Sequence, residues 1–196
     1  MVLSSLMLIA FYGINNIGKT TQAKLLVTAL RKQGRRAVYI KYPIYHQHPT
    51  GPMINRILRS HRKQKMSEEE LQLLFVLNRY QFQTKLKKML RQGITVVAED
   101  YIGTGIAWGM AKGARQPELE LMNKFLVQEN KAILLIGKRS MRSKEEKHIH
   151  EQDDALVRKC GRILKKLARE KKWKIVKRGE TKEETARACA QALGKF

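Results

Sequence analysis

Five short apolar runs punctuate the chain: LMLIAFY at 6–12, AVYI at 37–40, ITVVA at 94–98, AILLI at 132–136 and WKIV at 173–176. None alternates apolar with polar positions, and a strand without that alternation is covered on both faces, as in a parallel sheet. Between the runs, apolar residues recur at helical spacing over about 19–33, 52–62, 68–92, 116–129, 152–171 and 181–193. Strands alternating with helices in this way predict a three-layer α/β fold with right-handed crossovers. No internal repeat, low-complexity tract or linker divides the sequence, so residues 1–196 are expected to form one domain.

Two segments carry no such pattern. IGTGIAWGMAKGARQP at 102–117, spaced by Gly103, Gly105, Gly109 and Gly113, and the basic GKRSMRSKEEKHIH at 137–150 both read as loops. They follow the third and fourth strands, and ligands bind at the carboxyl ends of strands in this architecture. Residues 1–18 carry no charged side chain, yet the apolar run at 6–12 lacks a basic start, is too short to span a bilayer and ends in a polar turn. A cytoplasmic protein is expected, with no membrane partner.

The turn after the first strand carries the chemistry. GINNIGKTT, Gly13 to Thr21, fits G-x-x-x-x-G-K-[ST] between a strand and an amphipathic helix. Its glycines let the backbone curl until successive N–H groups point at phosphate oxygens, and the helix N-terminus adds positive potential. Gly13, Asn16, Ile17, Gly18, Lys19, Thr20 and Thr21 therefore form the expected ATP cradle. Lys19 reaches the β and γ phosphates and the Thr20 hydroxyl takes a Mg²⁺ position. No convincing Walker-B or base-specificity set of an ATPase or GTPase accompanies it. A small domain with two loops beside the motif suggests a phosphoryl transferase that excludes water during transfer.

Charge narrows the partners only coarsely. Forty Lys and Arg against seventeen Asp and Glu give +23, which favours polyanions: nucleotides, nucleic acid or acidic lipid. Eleven of the basic residues lie between Arg158 and Arg178, but Leu156, Cys160, Ile163, Leu164 and Leu167 there fall at helical spacing, so a solvated basic helix face is the simpler reading. Cys160 and Cys189 form no CxxC pair, and the HQH and HIH pairs lack supporting ligands, so neither a disulfide framework nor a metal held by His or Cys is indicated.

Four stretches together resemble the thymidylate kinase (dTMP kinase) family, and the resemblance runs over nearly the whole chain: the P-loop, KYP at 41–43, LLFVLNR at 73–79 and EDYIGTGIAWG at 99–109. It implies a P-loop kinase fold with a five-stranded parallel sheet, a small lid at about 137–150, and phosphorylation of dTMP to dTDP by ATP with Mg²⁺. Carried over by position, Phe75 stacks on thymine and Arg79 bonds its edge. Lys41 holds the monophosphate. Asn15, Tyr42, Asp100, Tyr101, Thr104, Gly105 and Trp108 complete the acceptor pocket, Thr20 and Glu99 hold the metal, and Arg139 and Arg142 of the lid meet the transferring phosphoryl group. A homodimer is compatible with the family pattern.

Three positions depart from that pattern. Asn15 stands for an Asp, Lys41 for an Arg, and Glu99–Asp100 for Asp-Arg, which puts an acid where an arginine grips the acceptor phosphate. Two other readings follow. Deoxynucleoside kinases carry a Glu at this strand end as base for a 5′ hydroxyl, the role Glu99 would then take. A catalytically weak P-loop protein would use its basic charge to bind nucleotide or nucleic acid.

Overall fold

The computed structural model describes residues 7–59, 66–139 and 153–194. Its elements follow in the order β1 (Leu8–Tyr12), α1 (Lys19–Lys32), β2 (Ala37–Lys41), α2 (Thr50–Leu58), α3 (Glu68–Arg91), β3 (Thr95–Glu99), α4 (Ile102–Ala111), α5 (Gln116–Asn123), β4 (Lys131–Ile136), α6 (Asp154–Glu170), β5 (Lys174–Lys177) and α7 (Lys182–Leu193). The strands form one five-stranded sheet in the order β2-β3-β1-β4-β5, and every pairing is parallel.

The unbroken apolar runs have a simple cause. Successive side chains of a strand point to opposite faces, so a strand buried on both needs apolar residues throughout. Ile9, Phe11, Val97, Ile133 and Leu135 pack with Leu26, Leu30 and Cys189 of α1 and α7 on one face. Leu8, Ala10, Tyr12, Val96, Ala98 and Leu134 pack with Leu86, Ile106, Cys160 and Leu164 of α3, α4 and α6 on the other. Three layers result. Cys160 and Cys189 are free and buried, and burial pushes both thiols up to about 12.

Helix α3 starts where its sequence dictates. Ser67 Oγ accepts the Glu70 N–H at 3.1 Å and the Glu70 carboxylate accepts the Ser67 N–H at 2.7 Å, a reciprocal cap of two otherwise orphaned donors. Helix α5 ends at Asn123, short of the expected 129, because the next residues are committed elsewhere. The Gln83 amide takes the Val127 N–H and gives to the Phe125 carbonyl, and Asn130 Oδ1 accepts the Leu8 N–H at 2.7 Å. That segment is the return to β4.

The glycine-spaced segment after β3 is a helix and not a loop. Residues Ile102–Ala111 form α4, and most of its side chains are buried. The glycines serve close packing: a Cβ on Gly103 would lie 2.3 Å from Trp173 Cη2, and one on Gly109 would lie 2.9 Å from both Leu119 methyls. Helix α6 keeps Val157, Cys160, Leu164 and Leu167 inside while Arg158, Lys159, Arg162, Lys165 and Lys166 face solvent. Among the described residues no helix is long and apolar enough to cross a membrane, and no group of three His, Cys, Asp or Glu could hold a metal ion.

Candidate active site

The carboxyl ends of β1, β2 and β3 open into a cavity of about 530 Å³. Strand register decides what meets there: Phe11 and Lys41 are both level with Glu99, so the P-loop, the KYP stretch and the acidic pair emerge side by side. The P-loop turns through positive φ at Gly13 (148°), Asn16 (64°) and Gly18 (106°). A side chain on Gly13 would in addition strike the Leu135 carbonyl at 2.9 Å. Gly18 is the N-cap of α1, whose first turn holds no acid to oppose an anion.

Lys19 is 4% exposed, and its ammonium donates to the Gly13 and Ile14 carbonyls at 3.0 Å each. It also lies 3.5 Å from Asp100 Oδ1. Asp100 has a left-handed backbone, φ 59°, which a short acid tolerates because its carboxylate can bond locally. Thr104 Oγ1 supplies that bond at 3.0 Å. Burial raises the Asp100 pKa and Glu99 adds to this, against the pull of Lys19 and Lys41.

Glu99, 2% exposed, is held on every side. Oε1 accepts Thr20 Oγ1 at 2.9 Å, the Tyr39 hydroxyl donates to Oε2, and Lys41 Nζ stands 3.6 Å from Oε1. Burial alone would lower the Lys41 pKa, but the Glu99 and Asp100 carboxylates outweigh it and the pKa rises. The ammonium is thus charged throughout the neutral range.

Helix α3 forms the opposite wall with Gln72, Phe75 and Arg79. Their i, i+3, i+7 spacing puts them on one face. Arg79 is buried, with Nη2 donating to the Tyr101 carbonyl at 3.2 Å and Nη1 to Asn123 Oδ1 at 3.4 Å. It packs against bare Gly105: a Cβ there would lie 2.7 Å from Arg79 Nη2.

The cavity therefore gathers most of the expected residues. Asn15, Asn16, Gly18, Lys19, Thr20 and Thr21 line it from the P-loop side, Lys41 and Tyr42 from β2, and Asp100, Thr104, Gly105 and Trp108 from the end of β3 and α4. Gly13 and Ile17 of the P-loop do not line it, and Ile17 is buried. Tyr101 does not line the cavity; it is 1% exposed, donates to the Val127 carbonyl at 2.9 Å and supports the Tyr42 ring, with centroids 4.9 Å apart. Arg139 is also outside, paired with Asp154 of α6 at 3.1 Å. Arg142 and residues 140–150 of the expected lid lie outside the described residues.

Sequence reasoning missed several lining residues: Tyr45, Leu58, Arg59, Gln72 and Arg178. Gln72 had a signal, its helical register with Phe75 and Arg79. Arg178 follows β5 and is tied to its neighbour strand, its N–H to the Ile136 carbonyl at 2.8 Å and its guanidinium to the Lys138 carbonyl at 3.1 Å. Only the fold reveals that this strand end faces the P-loop.

Known proteins share this fold. A solved thymidylate kinase from Candida albicans, described as having broad substrate specificity, superposes with a TM-score of 0.74 at 22% identity, covering 92% of this chain and 88% of that one. At that identity the likeness speaks for the fold. The 251L protein of Invertebrate iridescent virus 6, described as a "putative thymidylate kinase", is 35% identical over 107 residues, 55% of this chain. The matched stretch spans about half the length of that relative, 49%. The family model described as thymidylate kinase matches residues 11–188, almost the whole chain from the end of β1 into α7, and the chain belongs to the thymidylate kinase family.

Proposed function

We propose that this protein transfers the γ-phosphoryl group of ATP to the phosphate of dTMP, yielding ADP and dTDP. The observation that carries the reading is a cavity lined by the P-loop on one wall and by an aromatic and an arginine, Phe75 and Arg79, on the other. In the transfer, the bond from the γ-phosphorus to the β-bridging oxygen breaks and a bond to an acceptor phosphate oxygen forms. That oxygen is already ionised, so no base is required, and catalysis consists of positioning and charge stabilisation.

Each wall has a part in this. P-loop N–H groups and the N-terminus of α1 cradle the triphosphate, with Lys19 turning from the Gly13 and Ile14 carbonyls to the phosphates. Thr20 and Glu99 offer two hard oxygen donors 2.9 Å apart, and Mg²⁺ suits such a pair because it takes few protein ligands and completes its shell with phosphate and water. When bound there it would offset phosphate charge. Phe75 stacks on the base, Arg79 donates to its edge, and Lys41 holds the acceptor phosphate as a point charge.

The alternative is a nucleoside kinase, in which Glu99 would take the proton of a 5′ hydroxyl instead of holding a metal. Each Glu99 oxygen accepts one hydrogen bond, from Thr20 or from Tyr39, and keeps a lone pair for either role, so the acceptor that is turned over decides between them. The test is an ADP-release assay over dTMP, dUMP, UMP, CMP, AMP, GMP and the matching nucleosides. Preferred turnover of dTMP is the expected result; activity confined to nucleosides, or none with any acceptor, overturns the proposal.

A further inference from the structure

We propose that Gln72 is a specificity residue whose side-chain carbonyl, fixed in one orientation by Glu68, reads the N3–H of the base. The inference rests on the dTMP reading above and adds to it the group that tells an imide base from cytosine.

Gln72 is 2% exposed and borders the cavity on the same helix face as Phe75 and Arg79. Its amide could in principle present either end, but Glu68 removes the choice. The amide nitrogen lies 2.7 Å from Glu68 Oε1, and an ionised carboxylate only accepts. The other Glu68 oxygen is 3.0 Å from the Lys112 ammonium, and that ion pair and the Gln72 bond favour the ionised form against the burial that raises the Glu68 pKa. The nitrogen is therefore committed to Glu68 and Oε1 is the end left to face the site. It does so at a defined place: a Cβ on Gly105 would lie 3.2 Å from Gln72 Oε1 and 2.7 and 3.3 Å from Arg79 Nη2 and Nη1. An acceptor and a pair of donors thus converge over the bare α-carbon of Gly105.

That pattern matches one kind of base edge. Thymine and uracil present a carbonyl, an N–H and a carbonyl. Gln72 Oε1 accepts the N–H while an Arg79 N–H donates to O4. Cytosine offers an unprotonated N3 and an amino group at the same places, so two acceptors and two donors would oppose each other. A site built to bond one hydrogen rejects the analogue lacking it because its buried polar groups are left unpaired. Glu68 touches no substrate and is a positioning residue in this scheme.

The experiment measures kcat and KM for dTMP, dCMP and N3-methyl-dTMP with wild type, Gln72→Leu, Gln72→Ala and Glu68→Leu, with thermal melts to confirm that each variant folds. Gln72→Leu should raise KM for dTMP about tenfold with kcat little changed, the loss of one buried hydrogen bond expressed in binding. The dTMP-to-dCMP preference should fall by about the same factor. Gln72→Ala should narrow the gap between dTMP and its N3-methyl analogue. Glu68→Leu frees the amide to rotate and should raise dCMP turnover with Gln72 still in place. Wild-type turnover of dTMP with an unchanged dTMP-to-dCMP ratio in both Gln72→Leu and Glu68→Leu overturns this inference alone. A wild-type protein that does not use dTMP overturns the dTMP reading, and this one with it.

Discussion

Glu99 concentrates the chemistry of the site in one carboxylate. Buried charges persist only when paired and hydrogen-bonded, and here Thr20, Tyr39 and Lys41 surround it. Its neighbour Asp100 places a second acid where an arginine is usual, and the structure gives that acid partners of its own in Lys19 and Thr104. Glu99→Gln keeps the shape but loses the charge that would hold the metal and balance Lys41. We expect kcat to fall by about a hundredfold while binding of ATP without Mg²⁺ stays within about twofold of wild type. Single-turnover rates and equilibrium titration separate the two, and unimpaired turnover would place Glu99 outside the metal site. At this scale the P-loop was legible because its spacing is dictated by phosphate geometry. The register of Gln72 with Phe75 and Arg79 places it on their face, but the direction of its amide is set by Glu68 and is not legible in the sequence.

Among the elements, the strands are legible within a residue or two. In β1, β3 and β4 burial on both faces leaves few polar positions, whereas the edge strands β2 and β5 are partly exposed. Helix α4 reads as a loop in the sequence for an equally physical reason. Glycine signals a bend when the backbone needs a positive φ, but Gly103, Gly105 and Gly109 lie inside a helix, where what matters is the missing side chain. The sequence alone does not distinguish the two uses. The structure separates them further by neighbour. At Gly103 an added methyl meets the rigid Trp173 ring at 2.3 Å, a ring itself stacked on Tyr12 with centroids 4.2 Å apart. Gly103→Ala should therefore overpack the core and cost roughly 1–3 kcal/mol, seen as a lower Tm. At Gly105 the methyl meets the end of Arg79, which can shift. Gly105→Ala should lower Tm less than Gly103→Ala does and raise KM for dTMP about tenfold, by displacing the guanidinium from the proposed base edge. Equal Tm losses with no change in KM would show that Gly105 has only a packing role.

The whole molecule carries a charge that neither the sheet nor the site requires. Forty basic and seventeen acidic residues leave +23 on 196 residues. Among the described residues the ion pairs outside the cavity are mostly exposed ones, such as Lys166–Glu170 and Lys182–Glu183 at 3.6 and 3.7 Å, and pairs of that kind contribute little. Self-repulsion should outweigh them. On α6 the exposed Arg158, Arg162, Lys165 and Arg169 recur at i, i+4, i+7 and i+11, so like charges stack along one helix face. Salt shortens the Debye length from about 30 Å at 0.01 M to about 10 Å at 0.1 M, which screens the summed repulsion more than the close pairs. Raising NaCl between those concentrations should therefore increase Tm by several degrees at neutral pH, where a change of 1 kcal/mol corresponds to about 2–4 °C for a domain of this size. Sucrose at equal osmolality serves as the uncharged control. A Tm that falls with NaCl would mean that attractive pairs, and not the net charge, dominate the surface electrostatics.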